Sequence, residues 1–360
     1  MTHDEARRLF PVLERYAYLN AGTLGPLAQP TLDAMEARAR HDQEQGRGGR
    51  AWFDSMLDLR AGVRQKVAAL IGATAESLAL TSSTTDGCNV VVAGLGLESG
   101  DEVVTTNSEH PGLLLPLAVS GATVRVADVA NRPVEEAVER ITSLVGPKTR
   151  LLALSHVLWT TGQVMPVQEL KRETGLPVLV DGAQSVGAIP VDVGEVDYYT
   201  VSGQKWLCGP EPIGALYIRD LDSLRIAFPT GWAQTSIEPD GTFVEREDAE
   251  RFATGWIATH MLAGWEAALD LRPDWAYERA AEVTELCRRA LGDTYEVIGE
   301  PGQGTLVSFV PPRDSVETVA KLYARGVVVR DLPGTGWVRA SCGWWTNDDD
   351  IDRLVAGVGS

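Results

Sequence analysis

Residues 198–205 read Tyr198-Tyr199-Thr200-Val201-Ser202-Gly203-Gln204-Lys205, an apolar run that ends in a polar turn and a lysine. Aromatic and β-branched side chains without alternation are typical of a strand that is buried on both faces. A lysine at the carboxyl end of such a strand is costly unless it reacts, pairs or binds a ligand. These residues alone leave two interpretations open, a Schiff-base lysine or a partly exposed structural lysine.

Six further short β-rich runs surround this stretch and predict a sheet of seven strands. Between them lie amphipathic stretches at 134–145 and 167–173, and strands that alternate with helices indicate a mostly parallel sheet. Too few residues separate 201 from 214 for a crossover helix, so we expect one antiparallel strand there. The predicted strands are Leu78–Ser82, Glu102–Thr106, Thr123–Val129, Arg150–His156, Pro177–Val180, Tyr198–Val201 and Gly214–Ile218.

The pattern changes after about residue 240 and predicts a smaller α+β domain. We expect a fold of the α/β class, with a large domain over 21–255 and a linking helix with the small C-terminal domain over 256–360. Residues 1–20 are expected to pack against the small domain, because a short terminal segment is ordered only when it is tied down. The predicted elements are helices Ile257–Leu271 and Trp275–Leu291, strands Leu306–Phe309 and Gly326–Arg330, a strand ending at Ser341, and a helix opening at Asn347.

Charge and composition exclude several classes of protein. A formal net charge of -18 over 360 residues argues against nucleic acid or an anionic membrane as partner, because both are polyanions. The acidic N-terminus is unlike a signal peptide, and no apolar run approaches the roughly 20 residues of a membrane helix. Four widely spaced cysteines and five histidines show no metal-ligand spacing. We therefore expect a cytoplasmic protein with no metal site.

Two polar segments besides Lys205 follow predicted strands. Asp181, in Val178-Leu179-Val180-Asp181-Gly182-Ala183-Gln184, ends an apolar strand, where ligands bind in α/β sheets. A metal ligand or a helix cap would explain it equally well. Residues 81–89 contain five consecutive hydroxyl side chains before an apolar helix predicted over 90–95. One hydroxyl is enough for a helix cap, so five in a row favour an anion site at the helix N-terminus.

Two further side chains carry weaker signals. His110 follows the predicted strand at 102–106, although a lone histidine is more often structural than catalytic. Arg339 lies in an apolar strand, where an arginine needs an anionic partner. That partner could be a substrate carboxylate held by two hydrogen bonds, or an internal carboxylate.

In this order, the motifs resemble the class V aminotransferase branch of the fold-type I pyridoxal-phosphate (PLP) enzymes, which includes the cysteine desulfurases. The resemblance extends from Tyr18-Leu19-Asn20-Ala21-Gly22, with Gly25-Pro26, to Arg339 and so covers nearly the whole chain. It implies that Lys205 holds pyridoxal 5'-phosphate, that Asp181 pairs with the ring nitrogen, and that His110 stacks on the ring. It also implies contacts from Gln184 to the phenolic oxygen and from Thr84, Thr85 and Ser202 to the phosphate.

The same resemblance implies a homodimer with shared active sites and an amino-acid substrate. Thr254 is the matching candidate for the residue that completes the phosphate site of the neighbouring subunit. Arg339 would bind the substrate α-carboxylate near the Asn20-Ala21-Gly22 turn. Gln204 stands where this branch usually has histidine; it can bind phosphate but cannot carry a proton, which leaves Lys205 as the proton carrier.

Two departures from the family pattern narrow the expected reaction. The interval 331–338 contains no cysteine, whereas cysteine desulfurases carry their nucleophilic cysteine shortly before the carboxylate-binding arginine. Trp159 stands where many relatives have asparagine, and with Gly231-Trp232 and the segment 339–342 it resembles the cysteine/cystine C–S lyases. Trp159 is therefore assigned to the substrate side of the site.

The resemblance implies a PLP-dependent C–S lyase that performs β-elimination on cysteine, cystine or an S-conjugated cysteine. The products would be a thiol or persulfide, pyruvate and ammonia. An aminotransferase, or an oxidative or decarboxylating enzyme acting on a cysteine conjugate in natural-product biosynthesis, is the alternative. A cysteine desulfurase and a non-catalytic scaffold fit the residues less well.

Overall fold

The N-terminal part of the chain is mainly helical in the computed structural model, which describes residues 1–359. A short first helix is followed by a two-residue strand and two long helices. Pro30 in the first turn of the second helix removes an N–H that would have no partner there. The elements are α1 (His3–Arg7), β1 (Ala17–Tyr18), α2 (Gln29–Gln45) and α3 (Arg50–Leu70).

A seven-stranded sheet forms the centre of the molecule. Its spatial order is β2-β8-β7-β6-β5-β3-β4. β8 runs in the direction opposite to the other six strands, so it is antiparallel to both β2 and β7. This confirms the α/β fold with a mostly parallel seven-stranded sheet. The elements are β2 (Leu78–Thr81), α4 (Thr84–Gly94), β3 (Glu102–Thr106), α5 (Pro111–Ala118), β4 (Thr123–Ala127), α6 (Val134–Ser143), β5 (Thr149–Ser155), α7 (Val167–Thr174), β6 (Val178–Asp181), β7 (Tyr198–Ser202) and β8 (Gly214–Ile218).

The sheet is covered on both faces, as its apolar strands require. Val178 and Val180 belong to the apolar core that includes Val63 of α3. Leu179, between them, belongs to the core on the other face with Leu113 of α5. Because successive side chains point to opposite faces, an uninterrupted apolar strand serves both cores at once. The polar residues at the strand ends are left to form a site.

A hairpin, four helices, the short strand β13 and a smaller sheet complete the chain. The four-stranded small sheet has the order β11-β12-β15-β14 and is antiparallel throughout. None of the helices within residues 1–359 is long and apolar enough to cross a membrane. The elements are β9 (Gln234–Ile237), β10 (Phe243–Glu245), α8 (Thr259–Leu271), α9 (Ala276–Gly292), β11 (Val297–Ile298), β12 (Leu306–Phe309), α10 (Ser315–Ala324), β13 (Val327–Val328), β14 (Arg330–Leu332), β15 (Trp337–Ser341) and α11 (Asp348–Val358).

The strand predicted over 326–330 is wrong as a single element. Residues 327–328 pair in parallel with β1, whereas residues 330–332 pair with β15, so the backbone changes partner at Val329. Pairing with β1 brings the N-terminal segment onto the C-terminal elements. Arg7 adds an ion pair with the buried Asp350 of α11 at 2.7 Å. The division of the chain at residues 20 and 255 stays a prediction.

Candidate active site

Lys205 lies in the turn after β7 and is partly buried. The chain at Gly25 approaches it so closely that a Cβ there would lie 2.0 Å from the Lys205 carbonyl oxygen. Burial lowers the pKa of Lys205 to about 8, while Asp181 opposes this shift and Arg339 adds to it. An amine with this pKa is partly neutral near pH 7, as a nucleophile or a base must be.

Asp181 is the last residue of β6, and its side chain is buried. Its Oδ1 accepts hydrogen bonds from the Ala183 N–H at 2.9 Å and from the Thr200 hydroxyl at 3.4 Å. No residue in 1–359 donates to its Oδ2. The second oxygen therefore remains available to a protonated ring nitrogen.

The last three of the five consecutive hydroxyl residues form the start of α4, whereas Thr81 ends β2. The helix predicted to begin at 90 begins instead at Thr84, because the Ser83 side chain accepts the Asp86 N–H at 3.1 Å and caps it. Thr84 and Thr85 lie in the first helical turn, where backbone N–H groups have no helical partner. Hydroxyls and free amides at a helix N-terminus together suit a phosphate group.

His110 caps α5 and lies against Trp159. Its Nδ1 accepts the Gly112 N–H at 3.1 Å, which places the ring proton on Nε2 and makes the ring neutral. Burial lowers the pKa of His110, and the positive charge of Lys205 lowers it further. The Trp159 ring meets it edge to face, with centroids 5.4 Å apart and planes at 88°. A neutral imidazole fixed in this way suits stacking on an aromatic cofactor.

Arg339 is fully buried at the centre of β15. Its Nη1 donates to the Trp159 carbonyl at 2.7 Å, while Nε and Nη2 have no partner within residues 1–359. A Cβ at Gly22 would lie 2.7 Å from Nη2, so the predicted 20–22 turn packs directly on the guanidinium. Burial lowers the pKa of Arg339 to about 9. The alternative of an internal salt bridge is not realised among the described residues.

Arg330 is a second arginine of the site that the sequence analysis missed. It lies on β14 directly opposite Arg339 in the strand register. Its Nη1 donates to the Thr23 hydroxyl at 3.2 Å, and that hydroxyl donates to Asn20 Oδ1 at 2.9 Å. Neither arginine forms an ion pair within the described part of the chain. Two guanidinium groups without a carboxylate form an anion site.

Three polar side chains predicted to contact the cofactor lie on the β6–β7 side of the site. Gln184 donates from Nε2 to the Gly22 carbonyl at 2.9 Å, and its Oε1 accepts from Trp206 at 3.0 Å. One N–H of this amide is left for a ligand oxygen. Ser202 Oγ and Gln204 Oε1 are buried and have no partner within residues 1–359. A buried polar atom without a partner is costly, so these two atoms indicate a missing ligand.

Thr254 lies beside the hydroxyl residues of its own chain. Its hydroxyl donates to Asp86 Oδ2 in the first turn of α4 at 3.3 Å. That carboxylate also accepts from the Ser82 backbone N–H at 3.2 Å. The action of Thr254 on the phosphate site of a neighbouring subunit stays a prediction.

Glu109 is a buried carboxyl group that the sequence analysis passed over. It directly precedes His110 and hydrogen-bonds to the ends of two strands. The only sign of Glu109 in the sequence is its position next to His110, shortly after the predicted strand at 102–106. Its partner Thr106 is only three residues away, but Ser155 is 46 residues away and could not be inferred as a partner from the sequence.

The residues present fit pyridoxal phosphate. The carboxyl edge of the large sheet carries a lysine with a lowered pKa, an acceptor for a ring nitrogen, a neutral histidine and donors for a phosphate. The small sheet adds a pair of arginines on β14 and β15. The orphaned Ser202 hydroxyl and the free guanidinium atoms of Arg339 are both sites where a bound anion would satisfy a buried polar group. Within residues 1–359 no cluster of His, Cys, Asp or Glu side chains is arranged to hold a metal ion.

Comparison with known proteins gives one family. The model of the aminotransferase class-V family matches residues 17–354. A probable cysteine desulfurase from Methanothermobacter thermautotrophicus is 30% identical, over 100% of this chain and 99% of that protein. An isopenicillin N epimerase from Amycolatopsis lactamdurans is 33% identical over 94% of each chain.

A solved structure has the same fold over nearly the whole chain. The cystine C–S lyase C-DES, in complex with its reaction product cysteine persulfide, superimposes with a TM-score of 0.90. It is 32% identical, over 98% of this chain and 99% of that one. A second structure of C-DES, a mutant with glycine covalently linked to the PLP cofactor, gives a TM-score of 0.91 at 31% identity.

Proposed function

This chain belongs to the class-V aminotransferase family of PLP-dependent enzymes, and from that premise we propose that it cleaves the Cβ–S bond of an S-substituted cysteine. The observation that carries the proposal is the β14–β15 hairpin. It brings Arg330 and Arg339 to Lys205 through a tight turn, residues 333–336, that contains no cysteine. The site can therefore bind an anionic amino acid, but this turn offers no thiol to accept sulfur.

The cysteines elsewhere do not supply such a thiol. Cys88, Cys208, Cys287 and Cys342 are all buried. Burial raises the pKa of the Cys208 thiol, although it lies only three residues after Lys205. A nucleophilic cysteine needs the thiolate form and access to substrate. This supports elimination over desulfuration.

The side chains have distinct tasks in this reaction. Arg339 binds the α-carboxylate through Nε and Nη2, the two atoms that lack a protein partner. The Lys205 amine would hold the cofactor, and as a free amine it would take the Cα proton of the substrate as the general base. Asp181 Oδ2 would accept a hydrogen bond from the ring nitrogen and favour its protonated form, and His110 would stack on the ring. The cofactor, when bound, supplies an electron sink for the Cα–H bond electrons.

The second arginine points to a substrate with a second anionic group. Cystine has one carboxylate at each end, so one molecule could engage Arg339 and Arg330 together. Cystine and one water would give cysteine persulfide, pyruvate and ammonia. Other S-conjugated cysteines would give a thiol in place of the persulfide.

Product analysis tests the proposal. The purified enzyme is incubated with cystine, cysteine and bulkier S-conjugates, and the products are identified by mass spectrometry. We expect pyruvate together with an equal amount of the sulfur product, which is a persulfide from cystine, a thiol from an S-conjugate and hydrogen sulfide from cysteine. The Lys205→Ala variant should form neither, while Lys148→Ala, which changes an exposed lysine in a turn, should match the wild type.

Other outcomes would identify the rival reactions. A requirement for a keto-acid acceptor would indicate transamination, and loss of carbon dioxide would indicate decarboxylation. Exchange of the Cα proton without release of pyruvate would indicate an epimerase. Alanine with sulfur left on the protein would indicate a desulfurase. Any of these, in place of pyruvate, contradicts the proposal.

We also infer a homodimer whose active sites are shared. Trp256 is 57% exposed and Phe53 is 44% exposed, and with Trp52 they line a groove of about 870 Å³ close to Thr254. Exposed aromatic clusters of this kind mark protein contacts. The test mixes two inactive variants, Lys205→Ala and Thr254→Ala. Recovered activity in the mixture supports a shared site, and a monomer in light scattering contradicts it.

A further inference from the structure

Glu109 lies between β3 and α5 and is only 4% exposed. Its Oε1 accepts the Thr106 hydroxyl at 2.7 Å. Its Oε2 accepts both the backbone N–H of Ser155 at 2.9 Å and the Ser155 hydroxyl at 2.5 Å. The carboxyl group thereby joins the carboxyl ends of β3 and β5. No arginine or lysine within residues 1–359 forms an ion pair with it.

The strand register brings this group beside Asp181. Ser155, which donates twice to Glu109, is the residue of β5 that pairs with Asp181 of β6. The titratable groups that face Glu109 are Asp181 and the Cys88 thiol of α4, and His110 follows it in the chain. The carboxyl groups of Glu109 and Asp181 thus lie at the same buried edge of the sheet. Among the described residues, Glu109 has no arginine or lysine paired with it to balance its charge.

We propose that Glu109 is a positioning residue of the cofactor site, which fixes the strand ends around Asp181 and supplies a second negative charge behind it. His110 directly follows Glu109 in the chain and caps α5. The hydrogen bonds that fix Glu109 therefore also help to orient the His110 ring. The inference rests on the proposed function only in placing the cofactor at Lys205 and Asp181. It assigns Glu109 no contact with substrate or cofactor.

The environment of Glu109 makes its charge sensitive to pH near neutrality. Burial raises the pKa of Glu109 to about 7, the hydrogen bonds from Ser155 and Thr106 oppose the rise, and Asp181 adds to it. Above that pH the ionised carboxylate favours the protonated forms of nearby groups. With the cofactor bound, these groups would include the ring nitrogen beside Asp181 and the Lys205 nitrogen.

Spectroscopic titration of the holoenzyme tests this role. The visible absorbance of the bound cofactor is followed from about pH 5 to about pH 10 in the wild type and in Glu109→Gln. The glutamine can still accept from Ser155 but carries no charge. We expect its titration midpoint to fall by up to about one pH unit, because the variant removes a buried negative charge that favours the protonated form. Glu98→Gln, which removes an exposed charge, should leave the midpoint unchanged.

The outcomes separate this inference from the proposed function. A wild type without visible cofactor absorbance contradicts the site itself. Normal absorbance, with the midpoint and the pH profile of kcat/KM both unchanged in Glu109→Gln, overturns only the role of Glu109. If the glutamine variant does not fold, Ser155→Ala replaces it. That change removes one donor from the carboxylate and should shift the midpoint in the same direction by a smaller amount; no shift would refute the inference.

Discussion

Replacement of Arg330 by glutamine should impair the cleavage of cystine much more than that of a substrate with one carboxylate. Arg330 donates one hydrogen bond to Thr23 at 3.2 Å and faces Arg339 across the β14–β15 pair. It has no carboxylate partner within residues 1–359, so its charge is available to the substrate. Glutamine keeps a hydrogen-bond donor but is shorter and loses the charge.

The magnitude follows from the kind of contact that is lost. A hydrogen bond to a charged group contributes about 1.5–3 kcal/mol, and each 1.4 kcal/mol is a factor of about ten. We therefore expect kcat/KM for cystine to fall about 10- to 150-fold in Arg330→Gln. For S-methylcysteine, which lacks the second carboxylate, we expect a change of less than about threefold. A local loss of packing would affect both substrates alike.

The assay compares kcat/KM for the two substrates by the release of pyruvate. Arg339→Gln serves as the opposite case, because loss of the α-carboxylate contact should impair both substrates. Arg172→Gln, which changes an exposed arginine on α7, is the neutral control. An equal loss for cystine and S-methylcysteine in Arg330→Gln would refute the assignment of the second anion to this residue.

Three further substitutions test individual features of the site. Gly25→Ala should lower the free energy of unfolding by about 1–3 kcal/mol, because its Cβ would lie 2.0 Å from the Lys205 carbonyl oxygen. A urea titration measures this loss. Gly48→Ala is the control and should be neutral, because no atom lies within 4 Å of the added Cβ. Ser202→Ala should raise the Kd for the cofactor about tenfold by removing a buried hydroxyl, and an unchanged Kd would exclude a phosphate contact. Burial raises the pKa of Glu109 above its value in the unfolded chain, so its stabilising contribution is present at low pH and is lost as pH rises toward 7. We therefore compare the free energy of unfolding of Glu109→Gln with that of the wild type, both without cofactor. This difference should favour the variant by roughly 2–3 kcal/mol more at pH 8 than at pH 5. A difference that does not depend on pH would contradict the prediction.

The central sheet could be predicted because its signals are local. Each strand is a short apolar run, and the polar residues Asp181 and Lys205 follow two of these runs in the sequence itself. The gap between 201 and 214 sufficed to indicate the antiparallel strand, which the structure confirms as β8. Apolar character alone predicts a helix from residue 90, and this prediction of its start is wrong because the Ser83 cap begins α4 at Thr84.

The rest depends on contacts between residues that are distant in sequence. Arg330 was missed because its role follows from pairing with Arg339 and from the exchange of partners at Val329. Glu109 was missed because its partner Ser155 lies 46 residues away. The pairing of Arg330 with Arg339 and the burial of Glu109 could therefore be identified only from the folded structure.

The central claim is that Lys205 bears the cofactor. It is tested most directly by reducing the holoenzyme with borohydride and mapping the modified peptide by mass spectrometry. The chain has five lysines, so the result is unambiguous. We expect one reduced cofactor per chain, on the peptide that contains Lys205. The same label on Lys66, Lys148, Lys171 or Lys321, or no label at all, would contradict this assignment.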